Sequence, residues 1–234
     1  LHFVGRVRWV FETASGWNFD LRLSIDLRLI DLRAANNRHA KTRPFDRDLA
    51  ARLESFELAY RMQVAAPEAF DIGRETKQTQ EAYGLNTPES KDYGRQCLTA
   101  RRLIERGVRF VQVFADVAKT PGGGVNDVPW DAHSDISVNH GMCGRSVDKP
   151  TGALLDDLKQ RGLLDDTLVV WTTEFGRTPF NSSADHKGRE HHNWAFTTFL
   201  AGAGVKAGHT HGATDEIGLK SVVDPVHPHA FHAT

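Results

Sequence analysis

Twice in this chain an amphipathic helix ends on a glycine and runs straight into branched and aromatic residues. That doublet restricts the fold more than any other feature. In the first copy, Tyr93, Cys97, Ala100 and Ile104 share one face of a helix beginning near Lys91, Gly107 stops it, and Val108-Arg109-Phe110-Val111-Gln112-Val113-Phe114-Ala115 follows. Glycine ends helices because it takes the left-handed backbone conformation at no steric cost. The run after it reads as a buried strand, since β-branched and aromatic side chains fit a pleated surface. In the second copy a helix over 149–161 has Pro150 in its first turn and Gly162 past its end, and leads into Thr167-Leu168-Val169-Val170-Trp171-Thr172-Thr173. That near-continuous apolar run is the pattern of a parallel sheet covered on both faces. A third strand is predicted over 195–201. Helix, strand, loop, helix, strand, loop, strand is the alternation of an α/β protein.

Upstream, Leu49, Leu53, Phe56, Tyr60 and Val64 fall at i, i+4, i+7, i+11 and i+15, one face of a helix that starts near Asp46 and that Pro67 closes. Residues 1–27 are harder to place. Trp9, Val10 and Phe11, then Leu21, Leu23, Ile25, Leu27 and Leu29, alternate with polar residues, and Asp-Leu-Arg recurs at 20–22, 26–28 and 31–33. Residues 116–140 read as a long polar loop containing Gly122-Gly123-Gly124.

Charge and cysteine content narrow the function. Lys and Arg number 29 against 30 Asp and Glu, a net charge of -1, so the basic excess of a nucleic-acid binder is missing. No apolar run approaches the roughly 18 to 20 residues that span a bilayer. Two cysteines, Cys97 and Cys143, make no disulfide framework. The chain opens on Leu1 without a charged-then-apolar leader, and 225–234 reads as the start of a helix, so the expectation is a piece of a longer protein.

Histidine points to chemistry. Ten of the 12 histidines fall in 131–234, where an even spread would put about five. Imidazole is the commonest transition-metal ligand and titrates near neutrality. In Trp130-Asp131-Ala132-His133 the Asp and His, two apart, can reach one cation from an extended backbone, and carboxylate with imidazole suits Zn or Mn. The same pair could instead cap the loop or the next helix. Thr172 to Pro179 follows the most apolar strand, and in open parallel sheets ligands bind beyond the carboxyl ends of strands. Glu174 there could bind a metal or act as a base, and Arg177 could hold an oxyanion bidentately. The alternative is a Glu174–Arg177 salt bridge fixing the loop. In Asp185-His186-Lys187-Gly188-Arg189-Glu190-His191-His192-Asn193-Trp194, His191 and His192 point opposite ways along an extended chain, so one of them at most reaches a given ion. His227, His229 and His232 form either a ligand cluster or the capped, exposed start of a helix.

Three signals are discounted. Cys97-Leu98-Thr99-Ala100-Arg101 shares only its first and last residues with the Cys-x-Pro/Ala-x-Arg motif of sulfatases, and Cys97 lies on the apolar helix face, where core cysteine is the simpler reading. Gly122-Gly123-Gly124 lacks the Gly-Lys-Ser/Thr of a phosphate loop. Neither Gly-x-Ser-x-Gly nor His-Glu-x-x-His occurs.

Several segments together resemble the DUF1501 family. They are Ser55-Phe56-Glu57-Leu58-Ala59-Tyr60-Arg61-Met62-Gln63, Gly94-Arg95-Gln96-Cys97-Leu98, Arg106-Gly107-Val108-Arg109-Phe110-Val111-Gln112-Val113, Trp130-Asp131-Ala132-His133, the stretch 158–171, Glu174-Phe175-Gly176-Arg177-Thr178-Pro179 and Gly212-Ala213-Thr214-Asp215-Glu216. The resemblance runs over 28–234, with 1–27 matching poorly. That family is sulfatase-like, within the alkaline phosphatase superfamily. The resemblance implies a three-layer α/β/α sandwich on a mostly parallel sheet, incomplete in this chain. It implies a metal-dependent hydrolase of sulfate or phosphate esters, with divalent ions (Zn, Mn or Ca) held by Asp and His.

By position, Asp131, His133, Glu174, Arg177, His191, His229 and His232 match motifs of the family; the expected metal ligands are Asp131, His133, Glu174, His191, His229 and His232, and the expected catalytic residues Arg177 and Glu174. Glu190 stands where the family segment has Asp, Ala230-Phe231 stand where it has Asp-Leu, and Glu174-Phe175 align with the superfamily's later Asp-His pair. The family's Gly-Gly-Pro-Ser-His-type segment, where the nucleophile is expected, is not in this chain, so the chain alone is expected to be inactive. Export by a twin-arginine signal on the parent is implied too. The alternative is a non-catalytic descendant of the fold that binds a polysaccharide or a protein at the cell surface. The expected partner is a sulfate or phosphate ester, not nucleic acid or a membrane.

Overall fold

The computed structural model describes residues 34–39, 41–42, 51–52, 54–56, 67–115, 130–182 and 187–233. The chain divides into two units, 1–66 and 67–234. In the first, 34–39 are helical, as are 51–52 and 54–56 on the stretch where the Leu49-to-Val64 periodicity predicts a helix. Residues 1–27, the rest of the stretch predicted as that helix, the triple glycine and His186 lie outside the described residues.

The second unit begins with a helical turn over 67–70, so that Pro67, expected to close a helix, stands at the start of one. A 3₁₀ turn (Ile72–Arg74) and a short helix α1 (Lys77–Ala82) come next, followed by the long helices α2 (Lys91–Glu105) and α3 (Ile136–Gln160). Both helix–glycine junctions close alike. Gly107 N–H donates to Ile104 O at 2.9 Å and Val108 N–H to Leu103 O at 3.1 Å. Gly162 N–H donates to Lys159 O at 3.1 Å and Leu163 N–H to Leu158 O at 2.8 Å. These paired bonds satisfy helix carbonyls that otherwise have no partner. They need a left-handed residue between them, and φ is +80° at Gly107 and +69° at Gly162.

Helix α3 starts at Ile136, not near residue 149 as the proline suggests, and 136–140 are therefore helix, not loop. Asp135 is the reason: its Oδ1 accepts from Ser137 N–H at 2.9 Å and Val138 N–H at 3.1 Å, capping the first turn. Pro150 lies inside the helix and is buried.

Helices α2 and α3 bury Tyr83, Cys97 and Leu98 in one cluster and Cys143 and Val147 in another. Cys97 is core, and burial pushes its thiol up to about 12, out of the range of a ready nucleophile. Between the helices runs a buried ion network that the apolar periodicity did not show. Arg101 is 2% exposed and meets Glu75 at 2.9 Å, Glu105 at 2.6 Å and Asp157 at 2.9 Å. Tyr83 OH donates to Asp157 Oδ2 at 3.0 Å. Arg102 donates to the carbonyls of Ala69 and Glu68 and pairs with Glu75.

The predicted strand over 108–115 is not formed as one: the segment carries no regular structure, bends at Arg109 and pairs with no strand among the described residues. Val113 and Ala115 pack against the two helix clusters, whereas Phe110 and Phe114 face outward. The in-and-out alternation expected of a strand is present over 110–115.

Past α3 come three two-stranded antiparallel pairs: β1 (Val169–Trp171) with β4 (Phe199–Ala201), β2 (Gly176–Arg177) with β3 (His191–His192), and β5 (Ala213–Thr214) with β6 (Ser221–Val223), then helix α4 (Pro228–His232). This is a mixture of helices and small sheets, and it corrects the expected parallel pairing at 167–173. A continuous apolar run predicts a strand but not the direction of its neighbour, and the partner β4 returns antiparallel, Val170 opposite Leu200. Among the described residues Val170 is left 41% and Trp171 38% exposed. No helix among the described residues is long and apolar enough to cross a membrane.

Candidate metal centre

Two backbone pairings bring distant segments together. Arg189 N–H donates to Ala132 O and Lys187 N–H to Ser134 O, both at 2.9 Å, holding 187–189 against 132–134. The β2–β3 register sets Arg177 opposite His191. Three side chains from positions up to sixty residues apart then converge on one carboxylate oxygen. Asp131 Oδ1 accepts from Arg177 Nη2 at 2.7 Å and lies 2.9 Å from both His133 Nε2 and His191 Nε2. Arg177 Nη2 also donates to Trp130 O at 3.0 Å. Trp130 itself takes φ +67°, a left-handed backbone costly for a large side chain, and its indole N–H is anchored on Ala115 O at 2.9 Å.

Partial burial pushes the Asp131 carboxyl upward, but hydrogen bonds from His191 and Arg177, with the Arg177 and His133 charges, outweigh it and hold the group at about 2. The carboxylate is thus ionised at any working pH. One ligand atom each from Asp131, His133 and His191 lies within 4.8 Å of the others, close enough for one cation. The His133 and His191 rings are 5.1 Å apart, and His191 leans on Phe175 at 4.3 Å. Arg177 Nη1 and His140 Nε2 are buried and meet no hydrogen-bond partner among the described residues. Burial lowers the His140 imidazole, and the Arg177 charge adds to that effect.

The family model described as a protein of unknown function, DUF1501, matches residues 20–234. The chain belongs to the DUF1501 family. No curated protein and no solved structure matches it.

Within this DUF1501 chain the sequence-predicted site residues separate into two groups. Asp131, His133, His191 and Arg177 come together. Glu174 does not join them: it is exposed, accepts a hydrogen bond from Thr173 Oγ1 at 2.9 Å, and forms no salt bridge with Arg177, which is taken by Asp131. His229 and His232 lie on exposed α4, outside the cluster, where His227 Nδ1 caps the helix by accepting from His229 N–H at 3.2 Å. His191 and His192 face opposite ways, as their adjacency on a strand requires: His192 is buried and bonds Leu219 O. Glu190, not singled out from sequence as a site residue, meets His133 Nδ1 through Oε2 at 3.2 Å. Its signal was that it stands, just before His191, where the family segment has Asp.

Gly188 is the tight point of the assembly. A Cβ there would lie 1.9 Å from His133 O and 2.6 Å from Ala132 O, both backbone atoms that cannot step aside. Gly188→Ala is expected to destabilise the domain by about 1–3 kcal/mol through overpacking, read as a lower urea midpoint. An unchanged midpoint would show that the two segments separate freely.

Proposed function

We propose that this domain holds one divalent cation on Asp131, His133 and His191 and, within an α/β/α sandwich of the alkaline-phosphatase kind, serves the hydrolysis of sulfate or phosphate esters. The observation that carries the reading is the convergence of the three ligand atoms within 4.8 Å. Two imidazole nitrogens and one carboxylate oxygen suit Zn or Mn. Ca fits least, because it seeks six to eight oxygen ligands. Three protein donors leave coordination positions open, as catalytic sites do. Such a cation supplies Lewis-acid stabilisation of charge on a sulfuryl or phosphoryl oxygen.

Arg177 serves the same group. Its Nη2 is fixed on Asp131 and on Trp130 O, so the guanidinium is held in one orientation beside the centre. A planar fork of N–H donors matches the oxygens of a tetrahedral oxyanion. The nucleophile, in this reading, belongs to the N-terminal segment the resemblance implies, and export of the parent protein goes with it. A second reading, a cell-surface descendant that binds polysaccharide or protein, is favoured by Glu174, which stands at a superfamily ligand position yet faces solvent beside Thr173.

Elemental analysis of the purified chain after incubation with Zn, Mn or Ca tests the centre. The expected result is about one Zn or Mn ion per chain, removed by a chelator, and no retained Ca. A folded chain that retains none of the three sinks the metal reading. Ester hydrolysis is then screened in the longest natural form of the protein; metal binding there without turnover favours the second reading.

A further inference from the structure

We infer that Glu190 is the positioning carboxylate of this centre, fixing the His133 ring so that Nδ1 is protonated and Nε2 is turned toward the cation. The inference rests on the metal-site reading above and adds what sets the strength of binding. An imidazole has two nitrogens, and the hydrogen bond made by one decides whether the other is free to ligate. His133 Nε2 faces Asp131 Oδ1 at 2.9 Å while Nδ1 faces Glu190 Oε2 at 3.2 Å. Glu190 only accepts, so once Nε2 is given to a cation shared with Asp131, the one proton of a neutral His133 sits on Nδ1, where Glu190 takes it.

Glu190 is itself tied down. Its backbone N–H donates to Thr178 Oγ1 at 3.0 Å, its carbonyl accepts from Thr178 N–H at 3.0 Å, and its Oε1 accepts from Ser182 Oγ at 3.3 Å. The backbone it faces is held as well, since Asn181 Nδ2 donates to His133 O at 3.3 Å. Two carboxylates therefore grip one ring from opposite sides, and both are anchored independently of it. His191 has Phe175 against its ring instead, which sets its tilt but leaves its tautomer open.

The competing reading is an exposed ion pair, worth little in high dielectric; the Glu190 side chain is 39% exposed. Zinc affinity, by competition with a chromophoric chelator, separates the two for the wild type, Glu190→Ala and Glu190→Asp. The alanine variant is expected to bind zinc about 10–100-fold more weakly, the loss usual when the carboxylate behind a ligand histidine is removed, and the aspartate variant to recover much of it. In the zinc-loaded wild type the His133 Nδ1–H should give a slowly exchanging, downfield proton signal. The Asp variant should keep that signal and the Ala variant lose it, with both unfolding at nearly the wild-type midpoint. Equal affinity in the alanine variant overturns the inference, as does an equal loss in both variants. A wild-type chain that binds no zinc fails at the centre itself, whereas normal wild-type binding with an indifferent Glu190→Ala fails only at Glu190.

Discussion

Replacing Arg101 by methionine is expected to lower the stability of the second unit by about 3 kcal/mol, the low end of the range for breaking a buried ion pair. Methionine keeps most of the length and fills the space, so the loss reports charge more than cavity. Arg101 is 2% exposed, and the three carboxylates around it, Glu75, Glu105 and Asp157, are themselves mostly buried at 11%, 24% and 16% exposure. Without the guanidinium their negative charge is left confined. Arg102 stays on Glu75, and Arg161 stays on Asp157 and Glu105, which limits the damage. Burial raises the Glu75 carboxyl, but Arg101 and Arg102 together hold it below its ordinary 4.5. A carboxylate depressed in the folded state contributes stability that is full above the unfolded value and lost as the pH falls through the folded one. Wild-type stability should therefore decline as the pH drops below about 4.5, and the variant, already without part of that term, should decline less steeply. Urea midpoints across that window, followed by tryptophan fluorescence, give both numbers. A loss under about 1 kcal/mol would mean that Arg102 and Arg161 suffice to neutralise the cluster.

The same network shows where sequence reading stops. Helix α2 was legible because Cys97 and Ala100 recur at helical spacing and Gly107 can only end the helix, and its observed bounds agree. The two arginines that the helix also buries were not, because burial of a charge depends on partners such as Glu75 and Asp157 that no local pattern reveals. Pro150 misled for the opposite reason: a local rule for helix starts was outweighed by the Asp135 cap and by packing that buries the proline. At the site, Asp131 and His133 could be read from their spacing, whereas the crowding of histidines left His191 and His192 open and only the family resemblance pointed to His191. What could not be read is the pairing that joins them. Arg177 looked toward Glu174, three residues away, yet the β2–β3 register delivers it to Asp131. Glu190 emerges only once 187–189 is known to lie against 132–134. Residue types and spacings announce donors, whereas long-range register decides which donors meet.

A His133→Ala variant is expected to keep its fold and lose its zinc. The side chain is 38% exposed and belongs to neither buried cluster, so its removal leaves no closed cavity and should cost under about 1 kcal/mol. For the cation the consequence is far larger. Asp131 and His191 alone present two donors, fewer than the three that protein zinc sites keep even when catalytic. Affinity should fall by more than the roughly 100-fold that marks the upper end for loss of a supporting carboxylate, enough to empty the site at micromolar zinc. His191→Ala should do the same, and the double variant should add almost nothing, because a two-donor remnant is already incompetent. The order of effects is the decisive readout. Loss at His133 and His191 with partial loss at Glu190 describes a centre with two ligating rings and a carboxylate behind one of them. Full occupancy after His133→Ala removes that residue from the ligand set, and with it the reason for the Asp131–His133 spacing. The Asp131 carboxyl loses His191, His133 or both as supports in these variants but keeps the Arg177 hydrogen bond and charge that hold it down, so near neutral pH a weakened site is not a neutralised carboxylate, and the ranking isolates what each imidazole contributes.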